Sequence, residues 1–122
     1  MKMVISPAKS LNFESNLPTE QNSNPSFLEE ADRINNLLKG KTPAEISQLM
    51  KISEKLGNLN WERNQNFKLP FNKYNARPAV YTFDGDVYTG LDVFTLPPGK
   101  IQVLQESLRI LSGLYGVLKP LD

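Results

Sequence analysis

Arg109-Ile-Leu-Ser-Gly-Leu-Tyr-Gly-Val-Leu-Lys-Pro-Leu-Asp122 is the stretch on which the reading of this chain turns. Just upstream, Ile101, Leu104, Leu108 and Leu111 recur at spacings of three, four and three. That is the period of one face of an amphipathic helix, and it predicts a helix that begins near Pro98 and closes at Gly113. Glycine at a helix end takes the left-handed backbone conformation without steric cost. Gly113 and Gly116 would then line a hairpin with Arg109 before it and Lys119 after it. Two readings fit such a turn. It is an ordinary tight turn, or it brings backbone N–H groups up to a phosphate.

Working outward, 122 residues suffice for one compact domain, residues 1–122, and are too few for two well-built ones. Fourteen Lys and Arg against thirteen Asp and Glu leave a formal charge of +1, so an electrostatic footprint for a polyanion has to be a local patch. The chain has no cysteine and no histidine, which excludes thiolate chemistry, disulfides and the commonest metal ligands from this segment. No cofactor and no metal is expected. Any chemistry must use carboxylates, lysines, tyrosines or hydroxyls. The N-terminus lacks the apolar run of a signal peptide, and nowhere do some twenty apolar residues follow one another, so no membrane partner is expected and a cytoplasmic location is the default.

Met3-Val-Ile5 reads as a buried opening strand stopped by Pro7. In the interior of a sheet it would deliver Lys9 to the mouth of a cleft at the strand's C-terminal end. A solvated loop lysine is the alternative. Residues Asn12 to Ser26 form a surface loop. A helix follows, with Phe27, Ala31, Ile34, Leu37 and Leu38 on one face and Gly40 at its end. Thr42-Pro-Ala-Glu45 carries the capping-box pattern of a second helix with Ile46, Leu49 and Met50 buried, and Ser53 caps a third that runs through Trp61 toward Phe67. The basic residues on these helices, Lys39, Lys41, Lys51, Lys55, Arg63 and Lys68, make a solvated face. Ala79-Val-Tyr-Thr-Phe83 reads as a second strand, followed by an Asp84-Gly85 turn and the polar cluster Asp84, Asp86, Tyr88 and Gly90. The cluster lacks the ligand count of an EF-hand loop.

Four stretches in this order resemble one family: Ile5-Ser-Pro-Ala-Lys-Ser-Leu11, Leu49-Met-Lys-Ile-Ser-Glu-Lys-Leu56, Phe83-Asp-Gly-Asp-Val-Tyr-Thr-Gly-Leu91, and Leu108 through Asp122. Together they are similar to the YaaA family of bacterial peroxide-stress-resistance proteins, over nearly the whole of this chain and only the N-terminal portion of the family. The resemblance implies an α+β protein of family-specific fold, incomplete here, with short strands at the N-terminus and after residue 78 packed against several helices. It further implies a cytoplasmic role in limiting peroxide damage linked to intracellular iron. DNA binding would use a positively charged cleft and a helix-hairpin-helix-like element. Ser6, Lys9, Asp86, Tyr88, Gly90, Arg109, Ser112, Gly113, Tyr115, Gly116 and Lys119 stand at family-motif positions. Ser10 stands where threonine is more usual, and Asp84 where a basic residue often sits. Gly113 and Gly116 are three apart rather than two, and Pro120 interrupts any helix from Gly116, so the chain would hold at most half of such an element.

Three functional expectations follow. In the first the chain is a DNA-binding, oxidative-stress protein contacting duplex or bulged DNA through Lys9, Arg109, Ser112, Gly113, Gly116 and Lys119, without strong sequence specificity. In the second it is an enzyme in which Lys9, Asp86 and Tyr88 converge on one pocket for a small-molecule or nucleotide substrate. In the third it is a folding or association fragment, self-associating through surface that a missing C-terminal portion would cover.

Overall fold

The computed structural model describes residues 1–97 and 99–122, so the expected helix start near Pro98 lies outside the described residues. The fold is α+β, with short strands near the N-terminus and after residue 78. The chain divides into two compact units, Met1–Leu28 with Ala76–Asp122, and Glu29–Asn75.

The first unit is built on a three-stranded sheet. Strand β1 is Met3–Ile5, and β2 is the two-residue Ser10–Leu11. In the second half of the chain come helix α4, Ala79–Thr82, strand β3, Phe83–Asp84, and helix α5, Asp86–Leu91. A 3₁₀ turn at Val93–Thr95, helix α6, Lys100–Ser107, and strands β4, Leu108–Ser112, and β5, Gly116–Leu118, complete it. The sheet order is β1-β4-β5, with β1 parallel to β4 and β5 antiparallel to it, while β2 pairs antiparallel with β3 as a separate ribbon.

The helix expected to end at Gly113 instead ends at Ser107, where Leu108 turns extended at φ −100° and ψ 140°. Leu108 and Ile110 satisfy a period of two as well as Leu104 and Leu108 satisfy the helical period, and both are buried in the strand. The tertiary partners decide: β1 on one side and β5 on the other supply a ladder that a continued helix could not use. Gly113 is accordingly not a helix cap. The left-handed residue of the hairpin is Gly116, at φ 76°.

The opening strand is not buried. It is an edge of the sheet, and Met3 and Val4 are 48% and 59% exposed. In register, Ile5, Ile110 and Leu118 share the inner face, where Ile110 and Leu118 are packed with Ala79 and Tyr88. Val4, Leu111 and Val117 lie on the outer face, which is exposed.

Ala79–Thr82 is a helical turn rather than the expected strand. Its backbone donors are claimed by the chain's last residues: Ala79 N–H donates to Asp122 O at 2.8 Å and Val80 N–H to Pro120 O at 3.0 Å. Pro78 presets the turn, since Tyr81 N–H (3.1 Å) and the Thr82 hydroxyl (2.8 Å) both donate to its carbonyl. Val80 and Tyr81 then join Val93, Ile101 and Leu121 in a second apolar cluster. Gln105 holds this end together, donating to Ser23 Oγ at 2.9 Å and accepting from Leu121 N–H at 2.8 Å.

The second unit is helical, with α1 at Leu28–Lys39, α2 at Pro43–Met50 and α3 at Glu54–Asn66. The capping box forms as its spacing predicts: Thr42 Oγ1 accepts from Glu45 N–H at 3.2 Å and Glu45 Oε1 accepts from Thr42 N–H at 3.1 Å. The bonds from Thr42 hold the Glu45 carboxyl below its usual range. Ser53 caps α3 through Leu56 N–H at 3.2 Å. The buried faces differ from expectation. On α1 the interior positions are Ala31 and Asn35, while Ile34 and Leu37 are exposed, Leu37 by 70%. Asn35 is drawn inward because its amide donates to Asn64 O at 3.1 Å. On α2 only Ile46 is buried, and Leu49 and Met50 are exposed.

Helices α2 and α3 meet at Gly57, where a Cβ would stand 1.8 Å from Ser47 Oγ and 2.9 Å from the Pro43 carbonyl oxygen. Ser47 can rotate aside, but the Pro43 backbone cannot. Gly57→Ala is therefore expected to destabilise this unit by about 1–3 kcal/mol through overpacking, in spite of the roughly 1 kcal/mol that alanine gains over glycine in a helix. Denaturant unfolding followed by circular dichroism measures the sign, and a gain in stability would show that the helices separate freely.

Candidate functional site

Because β1 and β4 run parallel, the loops that leave them emerge at the same edge of the sheet. After Ile5 the chain continues as Ser6-Pro-Ala-Lys9, and after Ser112 it makes the Gly113-Leu-Tyr115 turn into β5. Tyr115 packs on the same apolar cluster as Ile5, Ala8 and Phe83, and its backbone N–H donates to Ser112 Oγ at 3.0 Å. The segment after β3 closes on this edge from another direction. Tyr88, 6% exposed on α5, donates its hydroxyl to Ser6 O at 2.7 Å.

A cleft of about 340 Å³ opens here, walled by Lys9 and Ser10 on one side and by Asp84, Gly85, Asp86 and Tyr88 on the other. The β2–β3 pairing of Ser10 with Asp84 holds the two walls at short range. Gly85 lies close to the loop, since a Cβ there would be 3.3 Å from Ala8 Cβ. The structure thus brings Lys9, Asp86 and Tyr88 to one concave surface. Lys9 is exposed at its mouth. Burial pushes the Tyr88 phenol up to about 12 from 10.0. Donating its O–H to the Ser6 carbonyl oxygen, this hydroxyl braces α5 against the loop and keeps its proton near neutral pH.

The other expected contacts lie elsewhere. Arg109, the second residue of β4, donates Nη1 to Gln105 O at 2.8 Å and to Leu108 O at 2.7 Å, so it caps the C-terminal end of α6. Lys119 follows β5, which runs antiparallel to β4, and so stands toward the sheet edge opposite Lys9, with its N–H on Asp122 Oδ2 at 2.8 Å. Ser112, Gly113 and Gly116 form the β4–β5 turn, flanked by strands rather than helices. Among the described residues no group of three or more acidic side chains is placed to hold a metal ion, and no helix is long and apolar enough to cross a membrane.

Behind the cleft is a smaller pocket of about 170 Å³ that sequence reasoning missed. Tyr81, Phe83, Phe94, Thr89 and Asp92 line it, and Asp84 and Tyr88 belong to both cavities. The missed signal was the recurrence of aromatic residues at 81, 83, 88 and 94. Asp92 also occupies the left-handed region at φ 50°, uncommon for a residue with a side chain.

Three of the four stretches that carry the sequence likeness, Ile5 to Leu11, Phe83 to Leu91 and Leu108 to Asp122, lie in the first unit. The family described as peroxide stress protein YaaA matches residues 1–122. This chain belongs to that family. Among relatives, a UPF0246 protein of Flavobacterium johnsoniae is 65% identical over 122 residues, 100% of this chain and 48% of the relative. One from Flavobacterium psychrophilum is 55% identical and one from Hahella chejuensis 50%, each again over 100% of this chain and 48% of the relative. The chain spans about half the length of these curated relatives.

Two measurements test this YaaA edge. Gly116 has φ 76° and a built Cβ 3.3 Å from Phe27 Cδ2, whereas nothing lies within 4 Å of a Cβ at Gly113. Gly116→Ala should cost about 1–2 kcal/mol of unfolding free energy, and Gly113→Ala should stay within about 0.5 kcal/mol of wild type. The second measurement concerns alkaline stability. Burial raises the phenols of Tyr88 and Tyr115 to about 12 each. A raised folded-state value means the contribution is complete below the unfolded value of 10.0 and is lost as pH rises toward about 12. The denaturation midpoint should fall over that window, less steeply in Tyr88→Phe.

Proposed function

We propose that this chain supplies DNA contacts to a protein of the peroxide response, protecting DNA and limiting iron-driven damage. The observation that carries this reading is the parallel pairing of β1 with β4, which sets exposed Lys9 and the Ser112–Gly116 turn at one sheet edge. An exposed lysine suits a phosphate, and such a contact positions a backbone without reading bases. Family membership supports the stress-response half of the proposal. Arg109 is spent on the end of α6, so the reading rests first on Lys9, with Lys119 as a second cation at the far end of the hairpin.

Asp84 and Asp86 face Lys9 across the cleft and repel a phosphate. They confine an anion to the lysine side and hold the affinity down. This opposition gives the test two signs. In fluorescence-anisotropy titrations with duplex and bulged DNA at two salt concentrations, Lys9→Ala should weaken binding and lower the slope of log affinity against log salt by about 0.9. Asp84→Asn should strengthen binding. Binding that ignores salt, or that responds to neither substitution, would sink the proposal.

The catalytic trio finds one favourable observation, since Lys9, Asp86 and Tyr88 share a cleft. Its tyrosine, however, is committed to Ser6.

A further inference from the structure

We infer that the pocket behind the cleft receives a nucleobase, so that pocket and cleft together take one nucleotide, with its ring between aromatic walls and its phosphate on the Lys9 side. The assignment of the phosphate rests on the reading of Lys9 above; the assignment of the ring stands on separate observations.

The walls of the pocket are two aromatic pairs. Tyr81 and Phe94 have ring centroids 5.3 Å apart at 51°, and Phe83 and Tyr88 are 5.6 Å apart at 37°. A pocket of about 170 Å³ with these rings in its lining suits a flat heterocycle, because every base presents a π face for stacking. The polar groups at its rim are selective. Asp84 and Asp92 bring carboxylate oxygens, which accept hydrogen bonds, and Thr89 adds a hydroxyl. Asn12 is a fixed wall, its Oδ1 accepting from Glu14 N–H at 3.0 Å and Ser15 N–H at 3.1 Å and its Nδ2 donating to Ser15 Oγ at 2.8 Å. Asp92 is held in its left-handed conformation by its own N–H, which donates to Tyr88 O at 3.0 Å at the end of α5.

Carboxylate acceptors repel a phosphate and match ring N–H and exocyclic amino groups. Guanine presents such donors side by side, and adenine and cytosine each present an amino group, whereas thymine offers a single N–H between two carbonyls. The ligand is therefore an amino-bearing base. Its phosphate goes to the neighbouring cavity, which shares Asp84 and Tyr88 with the pocket and holds Lys9. A free nucleotide and an unpaired nucleotide of DNA have this chemistry in common.

The test compares anisotropy titrations of a duplex with one bulged guanine, the same duplex with an abasic bulge, and one with bulged thymine, alongside titration of deoxyguanosine monophosphate followed by NMR of the aromatic resonances. The guanine bulge should bind about tenfold more tightly than the abasic one, in line with the loss of one stacked base. Phe94→Ala should erase that difference and Phe94→Trp should keep it. Asp92→Asn, which preserves a residue tolerant of the left-handed conformation, should narrow the preference for guanine over thymine. Equal affinity for guanine and abasic bulges, with no response to the mononucleotide, would overturn the pocket assignment. Base preference that survives with no effect of Lys9→Ala would overturn only the phosphate assignment. Mononucleotide binding that depends on Phe94, without any DNA binding, would keep the pocket and remove the DNA reading.

Discussion

The pairing of β1 with β4 is the constraint on which the first unit depends. Three residues at the start of the chain meet the strand that begins more than a hundred residues later, in parallel register from Met3 with Leu108 to Ile5 with Ile110. Closing so long a loop carries an entropic cost that grows slowly with length, and the inner face of the sheet offsets it by burying Ile110 and Leu118 completely or nearly so. Parallel strands cannot be joined by a tight turn, so everything between them is crossover. The same pairing places two loops at one edge, and a cleft forms there.

Two groups that would otherwise count as candidates for chemistry make structural bonds in this unit. Tyr88 donates to the carbonyl of Ser6 and stacks near Phe83, which ties α5 to the loop after β1. Arg109 covers the end of α6, where the helix gives way to the strand. Both side chains stand at motif positions, and both make structural bonds. What remains exposed is Lys9, with the carboxylates of Asp84 and Asp86 in the same cleft.

Much of the second unit was legible in the sequence because its signals are local. Thr42, Pro43 and Glu45 specify a helix start within four residues, and the capping box forms from those residues alone. Gly57 and Asn58 did not interrupt α3, since Gly57 sits where another helix comes close. The buried stripe of α1 was misjudged for a physical reason. A buried asparagine bonded to Asn64 O outcompeted Ile34 and Leu37 for the interior, and hydrophobic periodicity does not register a polar anchor.

The sequence by itself determined the three helices of the second unit, two of them with side-chain caps at Thr42 and Ser53, and the turn between Gly113 and Gly116. Those features rest on residues close in the chain, on backbone preferences and side-chain caps that need no distant partner. Only the tertiary structure decided that Leu108–Ser112 is a strand, that Ala79–Thr82 is a turn of helix, and that Asp92 and Phe94 join Tyr81 in a pocket. In each case the deciding hydrogen-bond or packing partner comes from elsewhere in the fold: β1 for the first, Pro120 and Asp122 for the second, the meeting of α4 with the turn after α5 for the third. A local pattern compatible with both helix and strand is resolved by whichever distant backbone satisfies its polar groups.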